Sequence, residues 1–139
     1  MFDAYPAWWD KTITLYNKVT EDGKISYFRH VLHGCSVSKS VSVVVDGGNA
    51  GSVATTTVRI RQSADYLPPR SYAGSGTAVQ AAYFTLTPGD IVFDGEIAED
   101  MADEQGKRPS DILKKHSGFI IKTCADNTSA SPKHYRCGD

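Results

Sequence analysis

Lys11-Thr12-Ile13-Thr14-Leu15-Tyr16-Asn17 alternates apolar and polar side chains, with Ile13 and Leu15 on one face. A period of two marks a strand with one face in a core. Glu21-Asp22-Gly23-Lys24 follows as a hairpin turn in which Gly23 is free to take a positive φ. Residues 25–32 return as a second strand rich in β-branched and aromatic side chains, Tyr27 and Phe28 adjacent. This first hairpin sets the class: a mainly β, antiparallel chain.

The pattern repeats after it. Val37, Val41, Val43 and Val45 recur at alternate positions in a run of serines and valines, residues 46–51 form a glycine-rich turn, and residues 53–60 resume the strand. There Val58 and Ile60 face one way and Arg59 and Arg61 the other. Such soft tips sit in solvent or reach for a partner. Phe84-Thr85-Leu86 begins a further strand, and Pro88-Gly89-Asp90 turns into Ile91-Val92-Phe93. Phe119-Ile120-Ile121 and His134-Tyr135-Arg136 close the sheet, the latter offering an edge for β-augmentation. One short helix is expected over residues 111–115, with Ser110 as its N-cap and Lys114, Lys115 and His116 at its negative end. Residues 63–77 lose periodicity: Pro68-Pro69 and Gly74-Ser75-Gly76 predict a loop, ordered on its own or by a neighbouring subunit. Residues 97–106 read as a solvated acidic segment.

Composition bounds the function. At 139 residues the chain fits one domain able to bury a core without staples, and its formal net charge of -1 gives no general attraction to nucleic acid or anionic membrane. No apolar run approaches the roughly 20 residues that span a bilayer. The first residues lack the pattern of a secretory signal, so synthesis in the cytosol is expected. Three widely spaced cysteines, Cys35, Cys124 and Cys137, do not make a disulfide framework and read as small core residues.

The chemical signals are weak. No P-loop, dinucleotide fingerprint, nucleophile elbow or H-E-x-x-H motif is present. Gly74-Ser75-Gly76-Thr77 has no following lysine to hold a phosphate. His134 and Cys137 have an H-x-x-C spacing that could ligate zinc with Cys35 and Cys124, and His33 and Cys35 fall on one face of a regular strand. Tyr27-Phe28-Arg29-His30 mixes aromatic and basic groups but lacks the surrounding positive charge of a nucleic-acid groove. No catalytic residue, metal or cofactor is therefore expected. Trp8 and Trp9, before the first strand, are candidate subunit anchors. Arg59, Arg61, Arg70 and Tyr72 join them as candidate intersubunit or partner contacts, set apart from the acids near the helix as head-to-tail contacts require.

Several stretches share a further likeness. Trp9-Asp10-Lys11-Thr12-Ile13-Thr14-Leu15-Tyr16-Asn17-Lys18 and Tyr27-Phe28-Arg29-His30-Val31-Leu32-His33-Gly34-Cys35 resemble minor capsid and head-closure (stopper) proteins of long-tailed bacteriophages. So do Pro88-Gly89-Asp90-Ile91-Val92, Phe119-Ile120-Ile121-Lys122, Asp126-Asn127 and His134-Tyr135-Arg136-Cys137-Gly138. Residues 46–82 stay outside the resemblance, and the matching motifs are structural. The resemblance implies a small β-barrel that assembles as a ring below the portal and adaptor, retains packaged DNA without reading its sequence, and docks the tail. It implies a virion location after synthesis in the host cytoplasm and transfers no active-site residue. Asp46, Gly47, Gly48 and Asn49 become a candidate lumen or gating loop, as does the stretch over 63–77.

The expectation is a single all-β domain over 1–139: a small antiparallel barrel of the SH3-like kind with one short helix. Its hairpin tip lies near 46–51 and its long loop near 63–80. The leading function is a non-enzymatic connector subunit, partnered by its own copies and by portal, adaptor and tail proteins, with no membrane. Another phage structural part (a tail terminator or capsid-associated minor protein) and a small β-barrel ligand-binding module stand as alternatives.

Overall fold

A computed structural model describes residues 5–129 and 131–139; within the outer second hairpin, the side chains of Ser42, Val44, Asp46, Asn49, Ala50 and Val53 lie outside the description. β1 (Lys11–Glu21), β2 (Lys24–Asp46) and β3 (Asn49–Arg61) form a meander, followed by α1 (Pro69–Ala73) and α2 (Thr77–Ala82). Then come β4 (Ile91–Asp94), α3 (Pro109–Leu113), β5 (Gly118–Ile120), β6 (Thr123–Asn127) and β7 (His134–Gly138). The strands make one seven-stranded sheet in the order β5-β4-β1-β2-β3-β7-β6. Every strand pairing in it is antiparallel.

The sheet curls into a half-barrel, and its two margins are consecutive pieces of chain. Between β5 and β6, Ile121 donates to Asp90 O at 2.7 Å and accepts from Gly89 N at 2.8 Å, while Lys122 donates to Gly138 O at 2.8 Å. Those bonds stitch one margin to the other. Inside lie Ile13, Leu15, Cys35, Val58, Ile60, Val92, Ile121, Tyr135 and Cys137, plugged by Phe84 and Leu86. β1 is buried on both faces, because its outward Tyr16 packs with Ile91, Phe93, Ile97, Met101 and Ile112 in a second core.

β1 and β2 turn through Asp22 (φ 52°) and Gly23 (φ 76°), the left-handed pair that a two-residue hairpin prefers. Farther along, Lys11 pairs with Cys35 but Ile13 with Leu32, so two residues of β2 oppose the single Thr12. The extra residue is a β-bulge built on Gly34 at φ +70°. It separates His33, exposed with Nδ1 3.0 Å from Thr12 Oγ1, from the wholly buried Cys35. The regular-strand expectation that these two share a face is therefore corrected.

Three short helices form where the sequence predicted one. Pro69, read as a helix breaker, stands in the first turn of α1, where its missing N–H costs nothing. Tyr72 OH donates to Gln80 O at 2.9 Å and Gln80 Nε2 donates to Tyr72 O at 3.1 Å, tying α1 to α2. The stretch over 63–80 is thus a packed lid. α3 begins at Pro109, with Arg108 and not Ser110 at its cap, and the Asp111 carboxylate accepts from Gly106 N at 3.0 Å and Arg108 N at 3.2 Å. Phe84 makes only an isolated bridge to Tyr66 in place of a strand. The acidic segment is anchored by its apolar members: Ile97 and Met101 are buried, and Tyr16 OH donates to Glu99 O at 2.6 Å.

A candidate docking ribbon and its root

β2 serves two partners in turn. Its first half, up to Cys35, pairs with β1; its second half, from Ser36, pairs only with β3. β7 accompanies β3 no farther than Thr57, with Asp139 extending the cover to Thr56. Beyond those points β2 and β3 leave the barrel as a two-stranded ribbon that turns at Gly47 (φ 59°) and Gly48 (φ 85°).

The ribbon is amphipathic. Val37, which touches the barrel core, starts a series that continues through Lys39, Val41, Val43 and Val45, opposite Val58, Thr56, Ala54, Ser52 and Ala50 in turn. Alternation puts these on the face continuous with the barrel interior. Outside the barrel nothing described covers that face, and Val41, Val43 and Val45 are 69%, 76% and 69% exposed. The other face carries hydroxyls, with Ser40 Oγ and Thr55 Oγ1 bonded at 2.8 Å.

At the root, Trp8, Trp9 and Arg59 converge in a groove that also contains Ser36, Ser38 and His134. Trp8 is 71% exposed, whereas Trp9 is buried, edge-on to His134 at 5.5 Å and tilted on Tyr5 at 5.3 Å. Arg61 is committed within the chain. Its Nε donates to Gly34 O at 2.8 Å, its second guanidinium nitrogen to Trp9 O at 3.0 Å, and its charge lies 4.8 Å from the Tyr5 ring centroid. It therefore locks the bulge that aims the ribbon, a positioning role within the chain.

The remaining expected contacts lie elsewhere. Arg70 is exposed on α1 beside Lys18 and Glu21, toward the β1–β2 turn and away from the ribbon root. Tyr72 is 3% exposed and unavailable to a partner. Gly47 and Gly48 form the ribbon tip, while the side chains of Asp46 and Asn49 fall outside the described set. Alternation locates the two strands of the ribbon and a soft tip, but not that the hairpin leaves the barrel uncovered. The available signal is the opposite strand: Ser52, Ala54 and Thr56 are too small to cover the valines.

Among the described residues, the Cys–His arrangements weighed from the sequence do not assemble. His134 accompanies Asn127 and Pro132 O, whereas Cys137 points into the core, so the H-x-x-C spacing is split between two faces. Among the described residues no group of three or more His, Cys, Asp or Glu is placed to hold a metal. Burial pushes the Cys35 thiol up to about 12 and raises Cys137 still further from its ordinary range, leaving both poor nucleophiles. A cavity of ≈ 170 Å³ opens beside Ile13, Val37, Val58, Val92 and Phe119, with Lys39 and Asp94 at its polar side. No described helix is long and apolar enough to cross a membrane.

The most developed polar site is a buried lock. Asp90 Oδ2 accepts from Asn17 Nδ2 at 2.9 Å and Thr87 N at 3.1 Å, and Oδ1 accepts from Lys18 N at 2.9 Å. Asn17 also donates to Thr85 O at 2.7 Å and accepts from Thr85 N at 3.2 Å. This cluster pins the 85–90 turn to β1. Burial pushes the Asp90 carboxyl up to about 6, against the opposing pull of its donors.

Fold and surface together define an antiparallel β half-barrel bearing a long amphipathic ribbon. The chain belongs to DUF6751, a family of unknown function, which matches residues 8–138. No curated protein and no solved structure matches it.

Proposed function

We propose that this chain is a structural subunit of a tailed-phage virion, a head–tail connector or head-closure protein that assembles as a ring below the portal and adaptor. In that place it helps retain packaged DNA and offers a surface to the tail, acting by assembly without a chemical step. The exposed valine face of the ribbon carries the reading. Val41, Val43 and Val45 are 69%, 76% and 69% exposed in the isolated chain. They leave roughly 300 Å² of apolar surface in water, about 8 kcal/mol gross at about 25 cal/mol per Å². A stable contact buries about 800 Å² per partner. The valines suit the apolar centre of such a contact, with the Trp8 groove as a second element.

The phage-like motifs fall on the scaffold: β1, the barrel half of β2, the turn into β4, the Ile121 stitch, and β6 with β7. The unmatched residues 46–82 hold the outer ribbon and the α1–α2 lid, where contacts to particular neighbours belong. A net charge of -1 suits a channel wall that lets DNA pass, since many basic contacts would hold it.

The test is electron microscopy of the purified chain and of tailed particles labelled with antibody against it. Label at the neck, with rings from the purified chain, is the expected result. Label spread over the capsid shell, or particles that lack the chain, would overturn the proposal.

A further inference from the structure

The ribbon has two open margins as well as an open face. Among the described residues, no strand pairs with the outer side of β2 beyond Cys35 or with that of β3 from Thr55 to Asn49. Chains that stay monomeric guard such margins with charge, proline, a bulge or a covering segment. Here residues 49–55, Asn-Ala-Gly-Ser-Val-Ala-Thr, carry no charge and no proline, and residues 36–45 carry Lys39 as their one charge. A two-stranded hairpin is at best marginally stable alone in water. A β3 margin with no guard and a β2 margin with only Lys39 leave room for further strands on both sides.

We propose that the ribbons of neighbouring copies pair edge to edge, β3 of one against β2 of the next, closing into an antiparallel β-barrel with two strands per copy. This inference rests on the ring reading above and specifies how the ring is joined. Strand direction selects the second copy as occupant. β2 and β3 run antiparallel, so copies related by rotation, ribbons pointing the same way, bring β3 beside an oppositely directed β2. The new join repeats the pairing already made within each ribbon. A foreign strand would fill one margin and leave the other open, and a two-fold pairing of β3 with β3 would leave β2 open. A closed head-to-tail ring fills both margins of every copy with a single kind of contact. It also aligns Val41, Val43 and Val45 on one wall of the shared barrel and the hydroxyls of Ser38, Ser40, Thr55 and Thr57 on the other.

The experiment uses the full chain with Cys124→Ser to remove the exposed native thiol. Thr55→Cys is co-expressed with Ser38→Cys, Ser40→Cys or Ser42→Cys, a series along the same face of β2 that allows for stagger between copies. Mild oxidation followed by non-reducing electrophoresis and peptide mass spectrometry should give a mixed cross-link for at least one pair, and none from either variant expressed alone. Amides over 36–46 and 49–55 should also exchange at least ~100-fold more slowly in the oligomer than in diluted monomer. Cross-links from single variants would overturn the head-to-tail join. Rings whose ribbon amides exchange as fast as the monomer's, or that give no mixed cross-link, would overturn edge pairing and leave the ring reading standing. A chain that never oligomerises, alone or in particles, would overturn both.

Discussion

Replacing Asp90 with Asn sets two physical effects against each other. The carboxylate takes three N–H donors, from Asn17, Lys18 and Thr87, at 2.9, 2.9 and 3.1 Å. Donors of this kind favour the ionised form. Yet the residue is only 2% exposed, and removal from water favours the neutral one. Desolvation is the larger effect, and the carboxyl rises from 3.8 to about 6. Between those values the folded chain holds a proton that the unfolded chain has released, so stability falls as pH rises through the interval. An amide has the shape and neutrality of the protonated acid and does not titrate. The stability of Asp90→Asn relative to the parent should therefore increase by about 2 kcal/mol between pH 4.5 and 7.5, the linkage expected from a shift of about 2 units.

Urea unfolding of both chains at the two pH values measures this, and subtraction cancels the titration of every other group. A relative stability that falls with pH would refute the reasoning. It would mean that the three donors outweigh burial and hold the carboxyl below 3.8.

Val43→Asp places a charge at the centre of the exposed valine face, 76% open to solvent. It should abolish oligomers in sedimentation while changing the unfolding free energy of the isolated chain by less than about 0.5 kcal/mol. Gly34→Ala forces a left-handed φ of +70° on a residue whose Cβ would lie 2.6 Å from Arg61 Nε. About 1–3 kcal/mol of stability should be lost in urea unfolding. With Cys35 and Cys137 buried, a thiol reagent at pH 8 should modify at most Cys124 in the folded chain and all three cysteines after unfolding.

The barrel was legible in the sequence because each of its strands has one face that must avoid water. Ile13 with Leu15, and Val58 with Ile60, gave faces that the register confirms. What escaped depends on objects that alternation does not encode. The bulge at Gly34 changes which residues of β2 point inward, and only the offset pairing of Lys11 and Ile13 reveals it. The α1–α2 lid is held by Tyr72 and Gln80, a reciprocal pair with no periodic signature. Arg61 read as a surface charge because its acceptors, Gly34 O and Trp9 O, belong to the backbone of distant segments. For the ribbon, alternation correctly located two strands and could not say whether anything covers them.

These features meet at the root of the ribbon. A long strand shared by two pairings needs one point where it leaves the first partner for the second, and the bulge at His33–Gly34 supplies it. A glycine there is soft, so the direction of the ribbon would be loose without a fastening. Arg61 is that fastening: it comes from β3, grips Gly34 on β2 and Trp9 ahead of β1, and rests on Tyr5. Tyr5 in turn donates to Lys133 O at 2.6 Å, just ahead of β7. Three segments beside the ribbon are thereby fixed to its base by bonds within the chain. An assembly that joins ribbons in a closed circle tolerates little error in the angle between one copy and the next. In the ring proposed above, an angle fixed within each subunit would leave contacts between copies only to seal the circle, since the direction of each ribbon is already set.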